Sequence, residues 1–209
     1  MNSRQFTIVT GPAAALAEEN IDTDIIFPAR FLLITEREGL GRYAFHDRRF
    51  AADGSEIADF VLNREPFRDA PTIVAGANFG SGSSREQAVW ALLGRGTRCI
   101  IAPGLSEIFH ANCLRNGILP VTLPEETVQS LLAAAAAGKS FTTDLAAQTV
   151  TVEGLSPIAF AIPPERKLAL QNGWDETDQI IHQHGKHIGA FEASQRLREP
   201  WLYAKAPQP

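Results

Sequence analysis

The chain has 209 residues, 44% hydrophobic and 21% charged, with a formal net charge of −5, the balance of a globular protein able to bury a sizeable core as one domain. An acidic balance without a basic face argues against nucleic acid as a partner. No apolar run is long enough to span a bilayer and no basic stretch leads into an apolar one at the N-terminus, so no membrane association is expected and a cytoplasmic location is.

In chain order, residues 5–10 alternate as a strand that Gly11 and Pro12 should end. Residues 20–28 read as a loop leading into 29–33. Asp22 and Asp24 in it are turn residues, or two acids of a metal site for which no third ligand follows at a useful spacing. Residues 34–49 are polar, with Arg37, Arg42, Arg48 and Arg49 as solvated loop charges and Gly39 and Gly41 as hinges.

The stretch 72–93, TIVAGANFGSGSSREQAVWALL, is the richest. Residues 73–75 are a buried strand, Gly76, Gly80 and Gly82 mark a turn, and an apolar helical pattern follows over 88–93. Ser83 and Glu86 stand in the Ser-x-x-Glu relation of a capping box. A glycine-rich turn feeding a helix N-terminus suits an anion, and Arg85 adds a charge able to hold a carboxylate or phosphate through two parallel bonds. No Gly-Lys-Ser or Gly-Lys-Thr follows for a P-loop, Arg85 takes the third glycine position of a dinucleotide turn, and Gly-x-Ser-x-Gly is missing. A carboxylate site with hydroxyls beside it leads. A plain strand–turn–helix corner, with Ser83 as no more than a helix cap, stays open beside it.

Gly94 and Gly96 end that helix, and 97–102 makes the next buried strand, with Cys99 as a small buried hydrophobe. A helix over about 105–115 contains Cys113 and stops at Asn116 and Gly117. A strand at 118–123 and an alanine-rich helix from Pro124 to Gly138 come next. Antiparallel strands are expected over 141–152 and 158–162, then a helix opened by Pro163, Pro164 and Glu165, two more helical pieces to about Leu197, and a fraying tail after Pro200. Strand–helix alternation with short connections predicts an α/β layered fold. His182, His184 and His187 cluster around Gly185, where a helix is weakened and further zinc ligands are missing, so they read as surface histidines. His46 and His110 stand singly. An iron–sulfur cluster takes several thiolates, and two cysteines cannot supply them; no secretory signal supports a disulfide between them.

The run NFGSGSSRE, residues 78–86, resembles the Gly-x-Gly-Ser-Ser-Arg-Glu signature of the aconitase swivelling-domain family, and within it the small subunits of the isopropylmalate-type hydro-lyases. NIDTDIIFPARF at 20–31, DFVLN at 59–63, IIAPGLSEIF at 100–109, Asn112, NGILPV at 116–121 and QNGWD at 171–175 are similar in the same order, so the likeness runs from about residue 5 to about residue 195. It implies a single swivelling β/β/α domain over 1–209, with an α/β core to about 162 and a helical C-terminal region over about 163–200.

The resemblance further implies that Ser83 is the catalytic base and that Ser84 and Arg85 bind substrate carboxylates. Arg37 would recognise the distal part of the substrate, Asp24 would lie at the site's rim, and Asp22 would shape its loop. A serine at a helix start beside Arg85 is where dipole and charge favour an alkoxide. No metal is expected in this chain. The [4Fe-4S] cluster, the Lewis acid that helps hydroxide leave, would be carried by a separate large subunit, making this chain half of an active site on a small dicarboxylate. The implied reaction interconverts 2-isopropylmalate and 3-isopropylmalate through 2-isopropylmaleate in leucine biosynthesis. Homoaconitate, citraconate or maleate are alternative substrates, although the run GLGRYAFHDRRF at 39–50 is nearer the isopropylmalate type. A non-catalytic carboxylate-binding module is a further alternative. Ser81, where relatives often carry cysteine, and Gln87, where they often carry histidine, depart from the pattern.

Overall fold

The computed structural model describes residues 5–82 and 85–203. Strand β1, Ile8–Leu16, is the pivot of a seven-stranded sheet, and it runs straight through the two residues expected to end it. Its residues 8–12 pair antiparallel with residues 140–144, and residues 13–16 pair parallel with 72–75. Pro12 therefore closes one ladder immediately before the other begins, at a seam where a missing N–H is tolerated. A side chain on Gly11 would meet the Pro71 ring at 2.9 Å.

Two short helices, α1 (Thr23–Ile26) and α2 (His46–Arg49), follow β1. Next come β2 (Thr72–Ala75), α3 (Glu86–Gly94), β3 (Cys99–Ala102), α4 (Glu107–Asn116), β4 (Leu119–Thr122) and α5 (Glu125–Ala136). The antiparallel strands β5 (Ser140–Asp144), β6 (Thr149–Val152) and β7 (Ile158–Ala159) and the helices α6 (Pro164–Asn172) and α7 (Glu176–Arg198) complete the chain. The sheet order is β4-β3-β2-β1-β5-β6-β7, parallel from β4 to β1 and antiparallel beyond. This is the α/β layered architecture expected from the strand–helix alternation.

Successive strand residues point to opposite faces, and each face carries its own core. Ala14, Leu16, Ile73, Ala75, Ile100 and Ala102 pack with α1, α3 and α4. Ala13, Val74, Cys99, Ile101, Leu119 and Val121 pack with α5 and the antiparallel strands. Gly117 ends α4 at φ 85°, as its place after Asn116 predicts.

The chain divides after Gly173 into two compact units. Helix α6 belongs to the first, where Phe6 N donates to Leu170 O at 2.8 Å. In the second, α7 is one helix of 23 residues, not two pieces. It opens on a complete capping box, Asp175 with Asp178, and has Arg196 and Arg198 in its last turn. Each interior glycine costs a helix only about 1 kcal/mol, so Gly185 and Gly189 do not break it. His182, His184 and His187 are exposed along it. Residues 200–203 form a 3-10 turn where a fraying tail was expected; residues 204–209 lie outside the described residues. Among the described residues no helix is long and apolar enough to cross a membrane.

Gly41 is a contact point, not a hinge. A Cβ placed on it would stand 2.5 Å from the Gly94 carbonyl carbon at the end of α3. Gly41→Ala should therefore destabilise the chain by about 2 kcal/mol, read as a lower urea midpoint at unchanged slope. Gly104→Ala, at a position with nothing within 4 Å of an added Cβ, should change stability by no more than about 0.5 kcal/mol.

Candidate active site

Strands β1, β2 and β3 are parallel, so their C-terminal ends share one edge of the sheet, where open α/β folds bind ligands. Here the pairing continues past the strand ends. Gly76 N donates to Leu16 O at 3.0 Å, Asn20 N to Ala77 O at 2.9 Å, Gly80 N to Ile21 O at 2.7 Å and Thr23 N to Ser81 O at 2.9 Å. On the other side, Ser106 N donates to Phe79 O at 3.1 Å. Asn20 and Asn78 adopt the left-handed conformation, φ 59° and 58°, which asparagine tolerates, and their side chains bond each other at 2.8 Å. The loops come so close that a Cβ on Gly76 would lie 2.5 Å from Glu18 O. Gly80, at φ 73°, lies under the Phe109 ring, 2.2 Å from where its Cβ would be.

These bonds bring the two acid- and glycine-bearing runs together. Asp22 caps α1 by accepting from Ile25 N at 2.8 Å, which gives it the loop-shaping place expected of it. Asp24, in the first turn of α1, meets the guanidinium of Arg85, whose Nη1 donates to Asp24 Oδ1. The Arg85 side chain is 22% exposed and that of Asp24 54%. Ser83 and Ser84, the expected base and its neighbour, lie outside the described residues.

The capping box expected of Ser83 and Glu86 rests on Ser83 and so lies outside the described residues. Helix α3 starts at Glu86 with Arg85 as its N-cap, so Glu86 occupies the first helical position. Its carboxylate accepts from Asn116 Nδ2 at 2.7 Å. Asn116 is only 3% exposed, and its buried amide needs partners that a helix-start carboxylate can supply.

Arg37 does not join the Asp24–Arg85 pair. Its guanidinium lies over the Trp90 ring of α3, 4.1 Å from the centroid. Trp90 Nε1 donates to Asn116 Oδ1 at 3.1 Å, so Arg37, Trp90, Asn116 and Glu86 form one connected chain of contacts.

Residues 3–126 match the family model of the aconitase C-terminal domain. A 3-isopropylmalate dehydratase small subunit of Rhodospirillum centenum is 48% identical over 94% of this chain and 98% of its own length. The one of Gluconacetobacter diazotrophicus is 47% identical over 94% and 96%, and one from Cereibacter sphaeroides 44% identical over 95% and 100%. This chain belongs to that family. The crystal structure of 3-isopropylmalate dehydratase from Methanocaldococcus jannaschii, 24% identical, shares the fold with a TM-score of 0.64 over 88% of this chain and 99% of the other.

Within this aconitase-type domain, the groups that could ligate a metal stand apart. Among the described residues no three of His, Cys, Asp or Glu gather where they could hold an ion. Both thiols are fully buried, and burial pushes Cys99 up to about 12 and Cys113 well above the ordinary thiol range. The residues of this chain do not fit an iron–sulfur cluster, which binds thiolates. A cleft of about 290 Å³ near the loops is lined by Leu16, Ile25, Phe45, Arg48 and Asp59 among others, and not by Asp24 or Arg85. The sequence alone does not mark Trp90 and Asn116 as site residues. One looks like an apolar helix position and the other like a helix stop. The available signal was that Glu86 and Trp90 are four apart and share a helix face.

Buried, protonated thiols should resist reagents. In the folded chain at pH 8 neither Cys99 nor Cys113 should react with a thiol-specific dye within minutes, whereas both should react on adding denaturant. Labelling of either under native conditions would contradict the burial described.

Proposed function

We propose that this chain acts as the small subunit of a 3-isopropylmalate dehydratase, a hydro-lyase that interconverts 2-isopropylmalate and 3-isopropylmalate in leucine biosynthesis. The observation that carries the reading is the meeting of Asp24 with Arg85 at the head of α3, in a chain whose relatives along nearly all its length are small subunits of that enzyme. Arg85 is the group that holds a substrate carboxylate, with Asp24 at the rim keeping the guanidinium in place until substrate arrives. Ser83 takes the proton next to that carboxylate and Ser84 hydrogen-bonds the substrate, both in the run that precedes Arg85 in the sequence. Arg37 contacts the distal part of the substrate.

This half-site works with a large subunit. The [4Fe-4S] cluster of the family's reaction has no ligand set among the described residues and belongs, in this reading, to that partner. The whole chain serves as one swivelling domain with its helical C-terminal region, and the assembly is cytoplasmic.

Co-expression with a cluster-bearing large subunit, assayed without oxygen by the absorbance of the unsaturated intermediate, tests the reading directly. Activity on 2-isopropylmalate should need both chains. A complex that turns over only citraconate or homoaconitate would move the substrate, and the absence of any complex would overturn the proposal. Within the active complex, Ser83→Ala should lower kcat by roughly 10²- to 10⁴-fold, as loss of a general base does. Arg85→Lys should raise KM roughly tenfold or more, because a point charge cannot reproduce a bidentate grip. Normal turnover of the serine variant would remove Ser83 from the proton-transfer role.

A further inference from the structure

We propose that Trp90 is a positioning residue: its indole face sets the orientation of the Arg37 guanidinium and thereby the affinity for the distal part of the substrate. The inference rests on the reading of Arg37 as a substrate-binding group.

Arg37 sits in an exposed loop, where a long side chain would sample many rotamers. Its Cζ nevertheless stands 4.1 Å from the Trp90 ring centroid, within the range where the electron-rich face attracts a planar cation. The ring is itself held. Trp90 Nε1 donates to Asn116 Oδ1 at 3.1 Å, while Asn116 Nδ2 donates to Glu86 Oε1 at 2.7 Å and to Asn112 O at 2.9 Å. Asn116 is buried and bonded through both ends of its amide, so turning it would strand buried polar groups. The loop is pinned as well, by the backbone approach of Gly41 to Gly94 at the far end of the same helix. Helix α3 thus carries Arg85 at its start and the platform for Arg37 farther along, so both arginines take their positions from one rigid element.

The test uses the assembled enzyme. Trp90→Leu should raise KM for 2-isopropylmalate roughly fivefold, as loss of a cation–π contact would, with kcat within about twofold. Trp90→Phe, which keeps a ring face, should recover most of that loss. Adding Trp90→Leu to Arg37→Ala should raise KM no further, because the two act through one contact. If Arg37→Ala raises KM and Trp90→Leu does not, the positioning role is wrong. If Arg37→Ala itself leaves KM unchanged, the substrate-binding reading of Arg37 fails, and the inference with it.

A second measurement reads the contact without turnover. The chain has three tryptophans, so replacing Trp174 and Trp201 by Phe leaves Trp90 as the reporter. In that background Arg37→Ala should shift the Trp90 emission and increase its quenching by acrylamide. Unchanged emission and quenching would show that the guanidinium does not rest on the ring and would overturn the proposal.

Discussion

The candidate site depends on a backbone constraint: the parallel pairing of β1, β2 and β3 does not stop where the strands do. Residue pairs Asp22 with Ser81 and Phe79 with Leu105 still make parallel bridges, so three loops are laid side by side as an extension of the sheet. Loops that leave a sheet edge ordinarily diverge and move. These are held at fixed spacing by bonds that satisfy backbone groups which would otherwise need water or side-chain partners. The arrangement demands particular residues. Two loops must turn left-handed at matching places, which Asn20 and Asn78 do, and one loop must carry no side chain where it faces the other, which Gly76 meets.

That constraint explains what could and could not be read from the sequence. Most helices and strands after residue 95 were legible because glycine and proline punctuate them: Asn116–Gly117, Pro124 and Gly138 mark true ends. Strand β1 extends past the end that the sequence predicts because Gly11–Pro12 is a stop signal only locally, and the switch of partner from β5 to β2 makes it tolerable. Helix α7 is continuous where the sequence predicts two pieces, because a glycine weakens a helix by an amount that its capping box and charged ends can offset.

The site divides in the same way. The charge of Arg85 beside a glycine-rich turn points to carboxylate chemistry and the resemblance puts Asp24 at the rim, but no spacing in the chain says that they touch. Their meeting follows from non-local register, Thr23 N to Ser81 O, and register is set by the whole sheet. The described partner of Glu86 is non-local for a related reason. A carboxylate near a helix start can satisfy a local amide or a distant buried one, and Glu86 accepts from Asn116, which another helix supplies. The Trp90 platform was invisible because a tryptophan in an apolar helix reads as core until its ring face is seen to carry a cation.

The openness of the site also has an energetic consequence. An ion pair as exposed as Asp24–Arg85 contributes about 0–1 kcal/mol, so a substrate carboxylate can displace Asp24 from the guanidinium at little cost. For the same reason the isolated edge should hold a dicarboxylate weakly. Two unit charges 4 Å apart attract by about 1 kcal/mol in bulk water but by about 4 kcal/mol at an effective dielectric near 20. Covering this edge with a second subunit would make that change without moving a residue of this chain. On the reading proposed here, the partner strengthens the grip of an arginine whose position the loops of the small subunit have already fixed.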